Sequence, residues 1–188
     1  MQLSKTGIKG CYIITPNILK DKRGHFVKTL HEDIFNSYGL HNNFPEEYYS
    51  KSKKNVLRGL HFHVPPHDHI KMVYCVFGRI IDAIVDLRIG SSTYGEYRTF
   101  EISDKNTKIL YIAKGIAHGF LTLSPEAIVI YKVSSTYSPN HDTGILWNSV
   151  GIPWQTEKPI LSERDKNFPV FQNFDSPFKY KEAVPCAR

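Results

Sequence analysis

Lys71-Met-Val-Tyr-Cys-Val-Phe-Gly-Arg-Ile-Ile-Asp-Ala-Ile-Val-Asp-Leu87 decides the fold. Its two apolar halves, 72–77 and 80–87, are rich in Val and Ile and are separated by a glycine, which is how strands bounded by a turn read. Similar short segments recur outward from this stretch at 11–15, 25–30, 56–63, 99–102, 109–112 and 127–133. Long stretches of 3.6-residue period are lacking, so the rhythm predicts an all-β sandwich or barrel. The best helix candidate is 32–38. The region after Gly144 carries Trp147, Pro153, Trp154, Pro159 and Pro169, and it is expected to wrap the core as loops and short helices.

One hairpin reads in register. With Gly78-Arg79 as a tight glycine-first turn, Phe77 pairs with Ile80, Cys75 with Asp82, Val73 with Ile84 and Lys71 with Asp86. Lys71, Cys75, Asp82 and Asp86 then share a face. Charged side chains on strands otherwise built of Val, Ile and Ala mark either a functional interior or a solvated outer surface, because an unpaired buried charge is costly.

With 188 residues, 41% of them hydrophobic, the chain is expected to form one domain over 1–188, with a peripheral tail from about 167 onward. No apolar run reaches the roughly 18 residues of a membrane span, and the N-terminus lacks the apolar stretch of a secretory signal. A soluble, cytoplasmic protein is expected. Cys11, Cys75 and Cys186 are scattered, and two of them sit in apolar runs, which suggests reduced thiols. The net charge of +6 favours either an anionic small-molecule partner or a plain basic surface. The lysines form no basic block of the nucleic-acid-binding kind.

Residues 55–63, Asn-Val-Leu-Arg-Gly-Leu-His-Phe-His, hold the densest chemistry. Histidine shuttles protons near neutral pH, and an arginine beside it holds an anionic substrate. His61 and His63 lie two apart in a strand and therefore face one pocket. With His67, His69 and His118 they supply enough nitrogens for a divalent metal, as in metal-binding cupins, yet the carboxylate that usually follows such a pair is missing. His67 and His69 fall in a Pro-containing loop where solvated side chains are the ordinary outcome. For His118 alone, a core histidine bonded to backbone is the simpler reading. Taken singly, Tyr131 in Ile-Val-Ile-Tyr reads as packing, and Asp165 after Leu-Ser-Glu-Arg reads as solvated.

As an ordered set these residues resemble the dTDP-4-dehydrorhamnose 3,5-epimerase family. The matching segments include Asp21-Lys-Arg-Gly-His-Phe26, Val56-Leu-Arg-Gly-Leu-His-Phe62, Val85-Asp-Leu-Arg88, Ser92-Thr-Tyr-Gly95, Gly115-Ile-Ala-His-Gly-Phe-Leu121, Tyr131-Lys132, Tyr137-Ser-Pro139, Gly144-Ile-Leu-Trp147 and Pro159-Ile-Leu-Ser-Glu-Arg-Asp165, in order over about residues 10–166. The resemblance implies a metal-independent double-stranded β-helix of cupin type with short peripheral helices, assembled as a homodimer. It implies a cofactor-free epimerase that inverts C3, C5 or both of a nucleotide-diphospho-linked 4-keto-6-deoxyhexose in cell-surface polysaccharide biosynthesis.

Position by position, the resemblance makes His61 the base, Asp165 its orienting carboxylate, Lys71 the electrophile at the ketone oxygen and Tyr131 the acid across the ring. It also places Arg23 and Arg58 on the diphosphate, His118 in the sugar pocket, and Asp142 and Arg164 among the binding residues. Three departures stand out. Lys28 replaces a usual glutamate, Glu46-Glu47-Tyr48 replaces a Gln-x-Asn segment, and His63 replaces a common glutamine. The first two fall where the family contacts its sugar nucleotide, so a base other than thymidine, such as cytidine, is expected to be accommodated. A 3,4-ketoisomerase of the same fold, a metal-dependent cupin enzyme using His61, His63 and His118, and a binding-only cupin are the competing expectations.

Overall fold

The apolar runs on either side of Gly78 are strands, but they do not pair with each other. A computed structural model describes residues 1–180. In chain order the strands are β1 (Gln2–Lys5), β2 (Tyr12–Thr15), β3 (Ile18–Asp21), β4 (Gly24–Val27), β5 (Glu46–Lys53), β6 (Leu57–His63), β7 (Lys71–Phe77), β8 (Arg79–Asp86), β9 (Tyr97–Ser103), β10 (Ile109–Ile112), β11 (Ile116–Thr122), β12 (Glu126–Val133) and β13 (Asp142–Gly144). Two short helices accompany them, α1 (Glu32–Ser37) and α2 (Glu163–Lys166). One sheet runs β1-β2-β10-β7-β12-β5, its partner runs β13-β6-β11-β8-β9, and β3 and β4 form a separate hairpin. The fold is the expected all-β double-stranded β-helix of cupin type, antiparallel throughout its ladders.

The expected hairpin between β7 and β8 is therefore corrected. The chain crosses at Gly78 from one sheet to the other, so β7 pairs with β10 and β12 while β8 pairs with β11 and β9. Gly78 has a positive φ of 83°, and a Cβ there would lie 2.2 Å from the carbonyl oxygen of Glu126. Only glycine fits that crossing. The face assignment survives the error. Alternation fixes which side a residue faces, not which strand lies beside it, and facing sheets share an interior just as a folded hairpin shares a face. Val73, Cys75, Ile80 and Ile84 accordingly meet in one cluster with Leu110, Ile112, Phe120, Val129 and Tyr131.

Both sheets are also covered outside, which explains why β7 and β8 are nearly continuous in apolar residues. Phe35 of α1 and Leu40 pack on Met72, Tyr74, Ile109 and Tyr111. On the other side Ile145, Ile152, Trp154 and Phe178 cover Leu57, Leu60, Phe62, Ala83 and Val85. Cys11 and Cys75 are free and buried, while Cys186 lies outside the described residues. No helix among the described residues is long and apolar enough to cross a membrane.

Candidate active site

A cleft of about 400 Å³ opens between the sheets at the end where β6, β7 and β12 begin or finish. On the five-stranded sheet its chemistry starts with a β-bulge. In a regular strand Arg58 and His61, three apart, would face opposite sides. The register of β6 against β11 shifts between His118 and Phe120, which pairs His118 with His61 and Phe120 with Arg58. Both Arg58 and His61 consequently line the cleft. Gly59 makes the shift possible. Its φ is 136°, and a Cβ there would lie 2.5 Å from the Cα of Gly119.

The same bulge opens the backbone to a carboxylate. The segment leading to α2 is tied to β6 by Leu57 N–H donating to Ile160 O at 3.0 Å and Ile160 N–H donating to Asn55 O at 2.8 Å. Ser162 caps α2 by accepting from Asp165 N–H at 3.1 Å. Asp165 is thereby held 3% exposed, accepting from Gly59 N–H at 3.2 Å and from His61 Nε2 at 2.9 Å. Burial opposes its charge, but hydrogen bonds from His61 and Gly59 outweigh it and hold the carboxyl below its ordinary range. A carboxylate only accepts, so His61 Nε2 carries the proton and Nδ1 keeps a lone pair. That is the tautomer a general base requires.

The six-stranded sheet supplies Lys71 and Tyr131. Lys71 begins β7, is 8% exposed, and among the described residues its ammonium makes no hydrogen bond or ion pair. Burial lowers its pKa to about 8, with Asp142 and Asp82 acting in the opposite sense. Tyr131 on β12 shares a hydrogen bond of 3.2 Å with Ser50 of β5, and burial raises its hydroxyl well above the ordinary value, so it keeps its proton. Tyr48 stacks on the Tyr131 ring at 4.8 Å and 18°, fixing its plane.

His118 lines the cleft and is bonded through Nε2 to Asp82 Oδ2 at 2.8 Å, rather than to backbone. Burial drives both partners toward their uncharged forms, raising Asp82 and lowering His118. At the mouth, Asp142 of β13 pairs across from His63 and binds Arg164 at 2.7 Å. Arg58 donates to Ser52 at 3.0 Å, and Glu46 accepts from Tyr137 N–H at 2.6 Å.

The structure thus brings His61, Lys71, Tyr131, Arg58, His118, Asp142, Glu46, Tyr48 and His63 into one cleft. Asp165 stands behind His61, and Arg164 reaches the cleft only through Asp142. Arg23 and Lys28 stand apart from this group. Arg23 sits at the tip of the β3–β4 hairpin, 85% exposed and bound to Asp21 at 2.6 Å, and Lys28 is exposed just beyond β4; neither lines the cleft of its own chain. That hairpin is a separate sheet and projects from the barrel. Asp165 is buried rather than solvated, and His69 is buried rather than in solvent. Ser50, Tyr49, Ser135 and Asp82 complete the site and were not singled out as site residues by sequence. The Glu46/Tyr48/Ser50 alternation in β5 was the available signal for Ser50. Among the described residues no three His, Cys, Asp or Glu side chains converge to hold a metal ion. His61 and His118 are instead each committed to an aspartate.

Fold and site together define a cupin-type barrel with an acid–base cleft between its sheets. The chain belongs to the dTDP-4-dehydrorhamnose 3,5-epimerase family, whose model matches residues 5–173. A dTDP-4-dehydrorhamnose 3,5-epimerase of Methanothermobacter thermautotrophicus is 43% identical over 169 residues, 87% of this chain and 91% of the relative. A dTDP-4-dehydrorhamnose 3-epimerase of Streptomyces niveus is 38% identical, covering 89% and 82%. The solved dTDP-6-deoxy-D-glucose-3,5-epimerase of Legionella pneumophila, in complex with dTDP-4-keto-L-rhamnose, matches with a TM-score of 0.91 at 30% identity, covering 96% of this chain and 99% of that one.

Lys71 gives a test that needs no substrate. Its folded pKa of about 8 lies below the ordinary 10.5, so the charged form is disfavoured by folding at neutral pH. The penalty is full below pH 8 and disappears as pH rises toward 10.5. Lys71→Met is expected to stabilise the protein by roughly 2–3 kcal/mol at pH 7 and much less at pH 10. Urea denaturation at both pH values checks this; equal stability of the two proteins at pH 7 would contradict it.

Proposed function

We propose that the cleft is the active site of a cofactor-independent epimerase that inverts C3, C5 or both of a nucleotide-linked 4-keto-6-deoxyhexose. The observation that carries this reading is the placement of a base and an acid on facing sheets. His61 with Asp165 lies on one wall, Tyr131 with Ser50 on the other, and buried Lys71 beside Tyr131 on the second wall. The family relatives, which are dTDP-sugar 3,5- and 3-epimerases, support the substrate class.

The chemistry follows from the charges. A proton on a carbon beside a ketone becomes removable when the developing enolate oxygen is stabilised, and the Lys71 ammonium in a half-dry cleft does this. His61 takes the proton through Nδ1, with Asp165 stabilising the imidazolium that forms. Tyr131 then delivers its phenolic proton to the same carbon from the opposite face, and the stereocentre inverts. His61 is left with one proton too many and Tyr131 with one too few. Exchange with water at the open mouth restores both.

Arg58 and the Asp142–Arg164 pair flank the mouth, where the diphosphate would lie. Arg23 and Lys28 reach a cleft only across an interface. The β3–β4 hairpin carries Leu19 and Phe26 at 65% and 61% exposure, and an isolated two-stranded ribbon is marginal on its own. We therefore read the enzyme as a homodimer in which each hairpin packs on the other copy. Light scattering at micromolar concentration should return twice the chain mass; a monomer would remove Arg23 from the diphosphate site. On this reading the enzyme works in the cytoplasm, in deoxysugar synthesis for cell-surface polysaccharide.

Proton NMR of the protein incubated with 4-keto-6-deoxyglucose linked to dTDP, CDP or GDP tests the reading. Epimerised product is expected with at least one nucleotide, with Glu46, Tyr48 and Lys28 tuning which one. Unchanged sugar with all three, or a ketone moved to C3, would overturn it.

A further inference from the structure

Two histidines, His69 buried and His63 half-buried, take no part in this chemistry. His63 on β6 and His69 just before β7 line the cleft together with Lys71, their ring centroids 4.6 Å apart at 51°. Among the described residues the Nε2 atom of each is buried without a hydrogen-bond partner. Buried polar atoms are seldom left unpaired, and two orphans facing one cavity point to a group that arrives with the ligand.

The hydrogen bonds of Ser135 fix what that group must offer to His69. Ser135 has one hydroxyl hydrogen, and it is directed to the carbonyl oxygen of His67 at 3.1 Å. His69 Nδ1, 3.2 Å from the same Ser135 oxygen, must therefore donate to it. His69 Nε2 is then a bare lone pair in need of a donor. Burial, with Lys71 and His63 close by, lowers the His69 pKa to about 2, so the ring does not supply that proton itself. Burial likewise lowers His63, against Asp142, and among the described residues no hydrogen bond commits the neutral ring to one tautomer, so Nε2 can present the donor that complements the His69 lone pair. A carboxylate or phosphate has nothing to donate to His69. An ammonium has nothing to accept from His63 and is repelled by Lys71. One uncharged hydroxyl satisfies both nitrogens, accepting from His63 and donating to His69.

We infer that His63 and His69 form a hydroxyl-binding subsite beside Lys71, which reads an alcohol flanking the substrate's ketone. The inference rests on the reading above, in which Lys71 holds the ketone oxygen. The alcohol is either the C3 hydroxyl or one carried on C6. The first sits on a carbon adjacent to C4 and the second on the carbon attached to C5, so they flank the ketone from its two sides, and the subsite makes the enzyme select sugars that bear the one it reads.

The test compares three nucleotide-linked 4-keto sugars: the 6-deoxyhexose, its 3-deoxy analogue, and the hexose that keeps its 6-hydroxyl. Affinities are measured by calorimetry and epimerisation by NMR, for the wild type, His69→Phe, His63→Phe and His63→Gln. One hydroxyl should improve wild-type binding by roughly 10–100-fold, the worth of satisfying buried polar partners. The 3-deoxy comparison identifies the C3 hydroxyl, and the 6-hydroxy comparison identifies the C6 one. That preference should vanish in both Phe variants and partly persist in His63→Gln, whose amide both donates and accepts. A wild type indifferent to both hydroxyls, or a preference that survives in both Phe variants, would overturn the subsite. A uniform loss of affinity for all three sugars in the Phe variants would overturn it too, since packing or an effect through Lys71 would then suffice. Absence of epimerisation with all three sugars would strike the catalytic reading alone, because the affinities decide the subsite independently.

Discussion

The contact between the backbones of Gly59 and Gly119 is the constraint on which the rest of the site depends. With no Cβ on either residue, β6 and β11 approach closely enough for β6 to bulge, and a side chain at 119 would meet the Arg58 carbonyl oxygen at 2.7 Å. The bulge turns Arg58 to the side of His61 and frees the Gly59 N–H for Asp165. A local steric permission thus places Arg58, His61 and the carboxylate that orients the His61 ring together, the arrangement on which the proposed anion binding and base catalysis rest. Either glycine replaced by a larger residue would disturb all three.

The second organising fact is the cost of the charges that the barrel keeps. Lys71, Asp82, His118 and Asp165 are all at or below 8% exposure in a chain whose net stability is a small difference of large terms. The structure offsets this unevenly. Asp165 is bonded well enough to stay ionised, the Asp82–His118 pair shifts toward neutrality, and Lys71 is left without a hydrogen-bond partner and with a depressed pKa. An unpaired ammonium at the centre of a cleft is poor for stability and well placed to stabilise an oxyanion, the usual relation between strain and function at active sites.

Much of this was legible in the sequence, and the failures share a cause. The apolar segments 72–77, 80–87, 109–112 and 127–133 are strands within a residue or two, and the helix at 32–38 is present, because burial imposes a readable period. β5 escaped notice because Glu-Glu-Tyr-Tyr-Ser-Lys-Ser-Lys is an edge strand with a largely solvated surface, where no apolar alternation is required. The partners of β7 and β8 were misassigned because alternation is silent about neighbours. A polar stretch does not reveal that a capped turn will dock Asp165 against a β-bulge, nor that Arg23 will sit on an exposed hairpin outside the cleft of its own chain. The histidines at 63 and 69 were visible as a cluster, but the tautomer of His69 depends on Ser135, distant in sequence.

The central claim is that removal and return of the proton are divided between His61 and Tyr131 on facing sheets. The direct measurement follows, in D2O, both deuterium entry and inversion at the carbon beside the ketone in Tyr131→Phe. With the base intact, deuterium should still enter with retention while inversion falls by roughly a hundredfold, the ordinary worth of a positioned general acid. Inversion at the wild-type rate in Tyr131→Phe would contradict the division of labour between the two walls.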